Sequence, residues 1–265
     1  MTHPANGEQS FPQGEVLPPD SSTRRSSRRL DLSATPATYI LLGINCGVFV
    51  WMVLSGVSFQ LPTTHDLLRF GANSTGLVLD GQWYRLLTAT FVHVGWIHLA
   101  TNMWCLWNLG MLGEPLLGPF GLIAVYMLTG IAGNLLSMAI NVYLRQDSAG
   151  AGASGAVFGI AGILIILLSN RKLPIPWEEL RRLRRSVIQF AVINIVIGAA
   201  ANQFDVVQID NSAHLGGFFS GLGIGVPLVP RMTSGRQKYL LRQKITFTVS
   251  ALVLALFGYW IANLR

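Results

Sequence analysis

Apolar residues fall into seven long runs along this 265-residue chain, and most of the charged residues lie between the runs. Each run approaches the ~20 residues that a helix needs to cross a bilayer. The pattern therefore predicts an all-α, polytopic membrane helical bundle. The predicted spans are residues 38–56, 87–110, 117–143, 153–169, 187–203, 212–230 and 245–263.

The stretches outside the predicted spans differ in character. Residues 1–35 are rich in Pro, Ser, Gly and charge, which predicts a disordered tail. Residues 57–86 mix Leu, Phe, Trp and Arg, a composition typical of a segment lying in the membrane interface. Residues 175–185, with Pro176 near their start, predict a short interfacial helix whose arginines contact anionic headgroups.

Composition excludes a soluble domain, because 51% of the residues are hydrophobic and only 12% are charged. The net charge of +7 would fit a nucleic-acid partner if the basic residues formed one surface. Fifteen of the nineteen instead lie in residues 24–29, 171–185 and 231–244, which the seven spans place on one side of the membrane. The positive-inside rule then predicts a multi-pass protein with a cytoplasmic N-terminus and an outer C-terminus. We expect it in the plasma membrane and without a nucleic-acid partner.

The two cysteines, Cys46 and Cys105, lie inside apolar runs and far from any histidine at metal-ligand spacing. Neither a zinc site nor a disulfide framework is indicated. We expect no metal and no small-molecule cofactor.

Candidate chemistry begins with Ser154, within the Gly- and Ala-rich residues 149–159 at the start of the fourth span. His214 is the ionisable group at the start of the sixth span, and ionisable residues at membrane depth are costly and usually functional. The topology places both near the outer face, which favours a nucleophile paired with a base. Taken singly, each residue also has a structural interpretation, as a serine bonded to its own helix or a buried, satisfied histidine.

His98 and Asn102 of the second span are four residues apart and therefore share one helix face. Two such donors can hydrogen-bond an oxygen that becomes negative during acyl transfer. The alternative is a polar clamp between helices. We expect His93, nearer the mouth, to be an interfacial residue rather than a second base.

Small residues predict that the fourth and sixth spans approach closely. Gly155 and Gly159 form one small-xxx-small pair, and Gly217 and Gly221 form another. Such pairs next to Ser154 explain how side chains on separate helices can meet.

No carboxylate lies within the apolar body of these spans, so the sequence predicts a dyad rather than a triad. Asp210 lies one turn before His214, in the predicted outer loop. Phe158, four residues after Ser154, can pack flat on the imidazole and orient it in place of a carboxylate.

Together these residues resemble the rhomboid family of intramembrane serine proteases, over residues 38–230. The motifs are specific in combination and weak singly. They are Trp83-Tyr84-Arg85, His98-x-x-x-Asn102, Gly152-x-Ser154-Gly155 and Ala213-His214-x-x-Gly217-x-x-x-Gly221.

The resemblance implies Ser154 as nucleophile and His214 as general base. It also implies an oxyanion hole, in which Gly152 permits the close approach. Its donors would be the side chains of His98 and Asn102 and the backbone N–H groups of Ala153 and Ser154.

Family membership would further make Glu114 a structural glutamate between the second and third helices. Many members carry Tyr at the position of Phe158, which lacks the hydroxyl and keeps the stacking face. The implied organisation is a tail (1–35), a six-helix protease core (36–230), and a basic loop with an extra seventh helix (231–265).

The expected function is hydrolysis of peptide bonds in transmembrane protein substrates, within the lipid bilayer and near its outer face. One alternative is a catalytically silent relative that binds membrane clients. A transporter or channel is another, because Asn134, Asn141 and Asn194 also place polarity in apolar segments, although no inverted repeat is visible. A soluble α/β hydrolase is excluded, because its elbow needs Gly where this chain has Ala156.

Overall fold

The computed structural model describes residues 35–203 and 209–264. The predicted tail, residues 1–35, lies outside the described residues except for Thr35. The helices are α1 (Pro36–Leu54), α2 (Thr64–Arg69), α3 (Thr75–Leu79), α4 (Arg85–Thr88), α5 (Gly95–Leu144), α6 (Ser154–Leu167), α7 (Trp177–Gln203), α8 (Asn211–Leu228) and α9 (Arg236–Ala262). Short 3-10 turns cover Ala89–Phe91 and Val229–Arg231, and strands β1 (Asn73–Ser74) and β2 (Ala149–Gly150) pair antiparallel.

The helical membrane bundle predicted from the sequence is confirmed. Within the described residues, five helices are long and apolar enough to cross a membrane. These are α1, α5, α7, α8 and α9. The predicted third span lies within α5, which also contains the second span from Gly95 onward, whereas residues 87–94 of that span belong to α4, a 3-10 turn and the loop after it. The predicted fourth span is the shorter apolar helix α6.

The 50-residue helix α5 is bent into two arms at Gly118, whose φ of 75° and ψ of 165° are not helical. A positive φ is readily adopted only by glycine. The second arm returns toward the start of the first, because Tyr126 donates to the Thr90 carbonyl at 3.0 Å and Asn134 donates to the Leu86 carbonyl at 2.9 Å. Residues 95–117 and 119–144 therefore form a helical hairpin.

Helix α9, which corresponds to the predicted seventh span, is joined to the bend of α5 by a buried hydrogen bond. A break in a helix leaves carbonyl groups of the preceding turn in need of partners, and lipid supplies none. The Gln243 side chain of α9 donates to the Leu117 carbonyl at 2.7 Å, and Gln243 is fully buried. Helix α9 is therefore attached to the core by polar as well as apolar contacts.

Glu114 closes the amino-terminal end of α1. Its carboxylate accepts the N–H groups of Ala37 and Thr38 at 2.9 and 2.8 Å, and the Thr38 hydroxyl at 2.8 Å. The side chain of Thr35 makes no cap at this end. A negative charge is favourable there because the first N–H groups of a helix are unpaired and its dipole is positive.

Helix α6 is the centre of the bundle. Its 14 residues include Ile160, Ile163, Leu164 and Leu167, all with no exposed surface. At 1.5 Å per residue the helix is about 21 Å long, shorter than the ~30 Å hydrocarbon core. At least one end of α6 therefore lies below the membrane surface.

One prediction about the loops was wrong in detail. Residues 175–185 form no separate interfacial helix, because α7 runs unbroken from Trp177 through the predicted span and no Gly or Pro interrupts its first turns. Residues 57–86, which were predicted to lie in the membrane interface, contain α2, α3 and β1. The Asn73–Gly150 pairing of β1 with β2 also departs from a purely helical fold.

The three asparagines that made a transporter conceivable have structural partners. Asn134 bonds to the Leu86 carbonyl, Asn141 to the Thr75 hydroxyl at 3.2 Å, and Asn194 to the Phe190 carbonyl in its own helix at 2.8 Å. Asn134 and Asn141 thus hold α5 against the segment before it, and Asn194 bonds within α7.

Replacing Glu114 with Ala should lower the free energy of unfolding by about 2–3 kcal/mol, because buried donors at the start of α1 lose their acceptor. Chemical unfolding of the detergent-solubilised protein measures this. Glu179→Ala, which removes an exposed carboxylate, is the control and should change stability by less than ~0.5 kcal/mol. Equal effects of the two substitutions would contradict the capping role.

Candidate active site

Helices α6 and α8 touch backbone to backbone at their glycines. A Cβ atom on Gly217 would clash with the Gly155 carbonyl oxygen, and one on Gly221 would clash with the Gly159 carbonyl oxygen. The close approach predicted from the small-residue pairs is confirmed. Because the two helices are in contact near their first residues, the contact brings Ser154 and His214 to the same end of the bundle.

The imidazole of His214 stacks on the Phe158 ring, with centroids 4.4 Å apart and planes inclined by 13°. The stacking predicted from the sequence is therefore confirmed. His214 is 7% exposed, and its Nδ1 atom has no hydrogen-bond partner among the described residues. Ser154 is half-buried at the first position of α6. The ring is fixed by packing, and the serine remains accessible.

Asp210 is a site residue that the sequence analysis left in a loop without a role. It caps α8, because its carboxylate accepts the Ala213 N–H at 2.9 Å. The other carboxylate oxygen accepts the Ser137 hydroxyl of α5 at 2.6 Å. Asp three residues before Ala213 and ahead of an apolar run is a sequence signal for an N-cap, and it would have identified this position.

His98 lies against the turn that precedes Ser154. A Cβ atom on Gly152, whose φ is 130°, would be 2.6 Å from the His98 ring, so this position requires glycine. His98 Nδ1 accepts the Val94 N–H at 3.3 Å. A neutral imidazole that accepts at Nδ1 carries its hydrogen on Nε2. The Nε2–H is therefore a donor on the side of the ring that meets Gly152.

Other donors of the implied oxyanion hole already have partners. The Asn102 amide donates to the His98 carbonyl at 2.9 Å, which uses one of its two hydrogens. The Ala153 N–H donates to His93 Nε2 at 3.4 Å, and the Gly152 N–H donates to the Ala89 carbonyl at 2.9 Å. Buried N–H groups need such partners when no substrate is bound. The Ala153 N–H must leave His93 before it can serve an oxyanion.

His93 was predicted at the interface, and this prediction was wrong. The residue has no exposed surface, and its Nδ1 lies 3.2 Å from the Phe91 carbonyl. Its ring is tilted against that of His98, with centroids 5.4 Å apart. The apolar run does not continue as a helix here, because the chain forms a 3-10 turn before α5 begins at Gly95. That turn carries His93 inward beneath the serine loop.

Trp83 and Arg85 support the segment between α1 and α5 and make no hydrogen bond to the dyad residues. The guanidinium of Arg85 donates to the carbonyls of Leu68 and Ala72 at 2.7 and 2.9 Å, and only 7% of this residue is exposed. Trp83 packs against Gly258 of α9, where an added Cβ would lie 3.3 Å from the ring.

Comparison with known proteins was consistent with the sequence motifs. The family model described as Rhomboid domain matches residues 80–231. Rhomboid protease GluP of Bacillus subtilis (strain 168) is 35% identical over 195 residues, which are 72% of this chain and 35% of that protein. Rhomboid protease AarA of Providencia stuartii is 30% identical over 225 residues, which are 78% of each chain. RHOMBOID-like protein 5 of Arabidopsis thaliana is 31% identical over 192 residues, 69% of this chain and 59% of that protein.

Gly221→Ala should destabilise the protein by about 1–3 kcal/mol, because the new methyl group meets the Gly159 carbonyl and α8 must shift away from α6. Gly223→Ala is the matched control on the same helix, since an added Cβ there meets nothing within 4 Å. Thermal unfolding in detergent compares the two. If both variants unfold at the same temperature, the tight contact of α6 and α8 is not what holds the site together.

Proposed function

The chain belongs to the rhomboid family, and we propose that it is an intramembrane serine endopeptidase that cleaves membrane-spanning segments of other proteins. One observation carries the proposal. Ser154 and His214 lie at the starts of two helices whose backbones touch, and the imidazole is stacked on Phe158.

The proposed reaction uses the two side chains in sequence. His214 takes the proton from the Ser154 hydroxyl, and Oγ attacks the substrate carbonyl to form a tetrahedral intermediate. Collapse of the intermediate releases the new amine, protonated by His214, and leaves an acyl-enzyme that water then hydrolyses. The Nδ1 atom of His214 has no partner among the described residues, and catalytic hydrogen bonds are often long or poorly aligned until substrate binds.

The oxyanion would be held by donors gathered on one side of Ser154. The His98 Nε2–H faces the turn at Gly152, and Asn102 keeps a second amide hydrogen. The N–H groups in the first turn of α6 are free of helical partners, and that of Ser154 is among them. The Ala153 N–H would exchange His93 for the oxyanion. Each such donor contributes most when it is fixed before charge develops.

Membrane-spanning segments are the proposed substrates because the candidate site lies in a bundle of membrane-spanning helices. A helical peptide bond is shielded by its own hydrogen bonds, so a substrate segment must unwind locally before Ser154 can reach it. Helix-weakening Gly or Pro near the cleaved bond favours this step. The charge distribution of the loops supports a cytoplasmic N-terminus and, with it, cleavage near the outer face.

Asp210 has a supporting role in the proposal, as a positioning residue for His214. It fixes the first turn of α8 through the Ala213 N–H and ties that turn to α5 through Ser137. His214 follows one residue after Ala213. The height and rotation of the imidazole relative to Ser154 therefore depend on this carboxylate.

Ser154→Ala should reduce cleavage of a single-span substrate in reconstituted liposomes to the uncatalysed background while leaving the protein folded. Ser220→Ala is the matched control, because the Ser220 hydroxyl only bonds to the Gly217 carbonyl of its own helix at 2.8 Å. Full activity of Ser154→Ala would reject the assignment. Substrate that is bound but uncut by the wild-type protein would instead identify a client-binding relative.

Asp210→Ala should lower kcat roughly tenfold with little change in KM, because small misplacements of a catalytic group cost up to ~10²-fold in rate. Asp210→Asn keeps an acceptor for the Ala213 N–H and should restore most of kcat. Steady-state kinetics on both variants measures this. Equal kcat values for Asp210→Ala and the wild type would show that the cap does not position His214.

A further inference from the structure

An apolar cavity of about 440 Å³ lies between α9 and the core of the bundle. The second arm of α5 lines one side from Leu128 to Leu135, and α9 lines the other from Ala251 to Ala262. Trp83 closes one end of the cavity. This volume falls in the range of small-molecule binding sites, about 300–1,000 Å³. It is separate from the dyad residues, none of which lines it.

The cavity exists because small side chains of α9 face the core. Ala251, Ala255, Gly258 and Ala262 recur every three or four residues and so share one helix face. Native packing rarely leaves voids larger than a water molecule. Water is a poor occupant here, because it needs two to four polar partners and the lining is almost entirely hydrocarbon. The lining therefore favours an apolar occupant.

The shape of the cavity selects among apolar occupants. From Ala251 to Ala262 the helix rises about 16 Å, close to half of the ~30 Å hydrocarbon core. A helix 10–12 Å in diameter fills about 400–600 Å³ per turn, so a 16 Å length of helix would need roughly three to four times the volume present. The cavity is therefore too narrow for a substrate helix and has the length of one leaflet.

The ends of the cavity lie at different depths. Trp83 and Tyr259 flank the end near Ala262, are 37% and 71% exposed, and combine an apolar ring with a polar tip. Such residues concentrate at headgroup level. The basic start of α9, from Arg236 to Lys244, belongs to the opposite membrane surface. The cavity therefore runs from headgroup level to the bilayer midplane.

We propose that this cavity binds one acyl chain of a phospholipid from the leaflet that contains Trp83. The chain fills the space that the small residues of α9 leave, and its headgroup lies beside Trp83 and Tyr259. The lipid thereby completes the contact between α9 and the core of the bundle. This site does not depend on the proposed protease activity.

Photo-crosslinking tests the proposal in liposomes that contain a phosphatidylethanolamine with a diazirine in the middle of one acyl chain. Crosslinks should be at least several-fold denser on residues 128–135 and 251–262 than on the exposed, lipid-facing side of α1 around Trp51. Bulk lipid contact predicts equal densities. Equal labelling of the two regions would overturn the proposal.

Ala255→Trp should abolish the dense labelling, because the indole fills the cavity. Leu256→Trp, one residue along on the lipid-facing side where Leu256 is 67% exposed, is the matched control and should leave it unchanged. Labelling around Trp51 and the thermal transition report whether each variant is folded. If Ala255→Trp does not fold, Ala251→Leu makes the same test with a smaller side chain. If a folded cavity-filling variant is labelled as densely as the wild type, the proposal is wrong.

Discussion

The contact between the backbones of α6 and α8 is the constraint on which the site depends. Gly217 and Gly221 allow it, because any side chain at either position would meet a carbonyl oxygen of α6. Lipid provides no hydrophobic force to press helices together, so association depends on close packing. The same contact sets the separation of Ser154 and His214, which makes packing and chemistry inseparable at this end of the bundle.

Backbone polar groups impose the second constraint, since the hydrocarbon core offers them no partners. At several helix ends and bends of the described fold, a side chain supplies the missing partner. Glu114 accepts an N–H group at the start of α1, and Asp210 accepts one at the start of α8. Gln243 donates to a carbonyl group at the bend of α5. In the turn before Ser154, His93 Nε2 accepts the Ala153 N–H in the same way. A residue that meets a structural need in the resting protein thus holds a donor that the proposed chemistry would use.

Much of the fold and of the candidate site could be predicted from the sequence, because membrane spans and small-residue pairs leave periodic signals. The stacking of Phe158 on His214 followed from their places on helices expected to touch. Other features leave no such signal. The two-residue pairing of Asn73 with Gly150 is too short for any period, and the burial of His93 depends on a 3-10 turn inside an apolar run. Asp210 did carry a capping signal, but its bond to Ser137 joins residues 73 positions apart.

The bond between Gln243 and Leu117 has a consequence for how the protein is made. Its partners are separated by 126 residues, and the ribosome delivers Leu117 first. At about 5–20 residues per second, the hairpin waits roughly 6–25 s for the amide that completes its bend. The Leu117 carbonyl therefore lacks this partner until α9 has been synthesised. Folding of the core is completed only after α9 has entered the membrane.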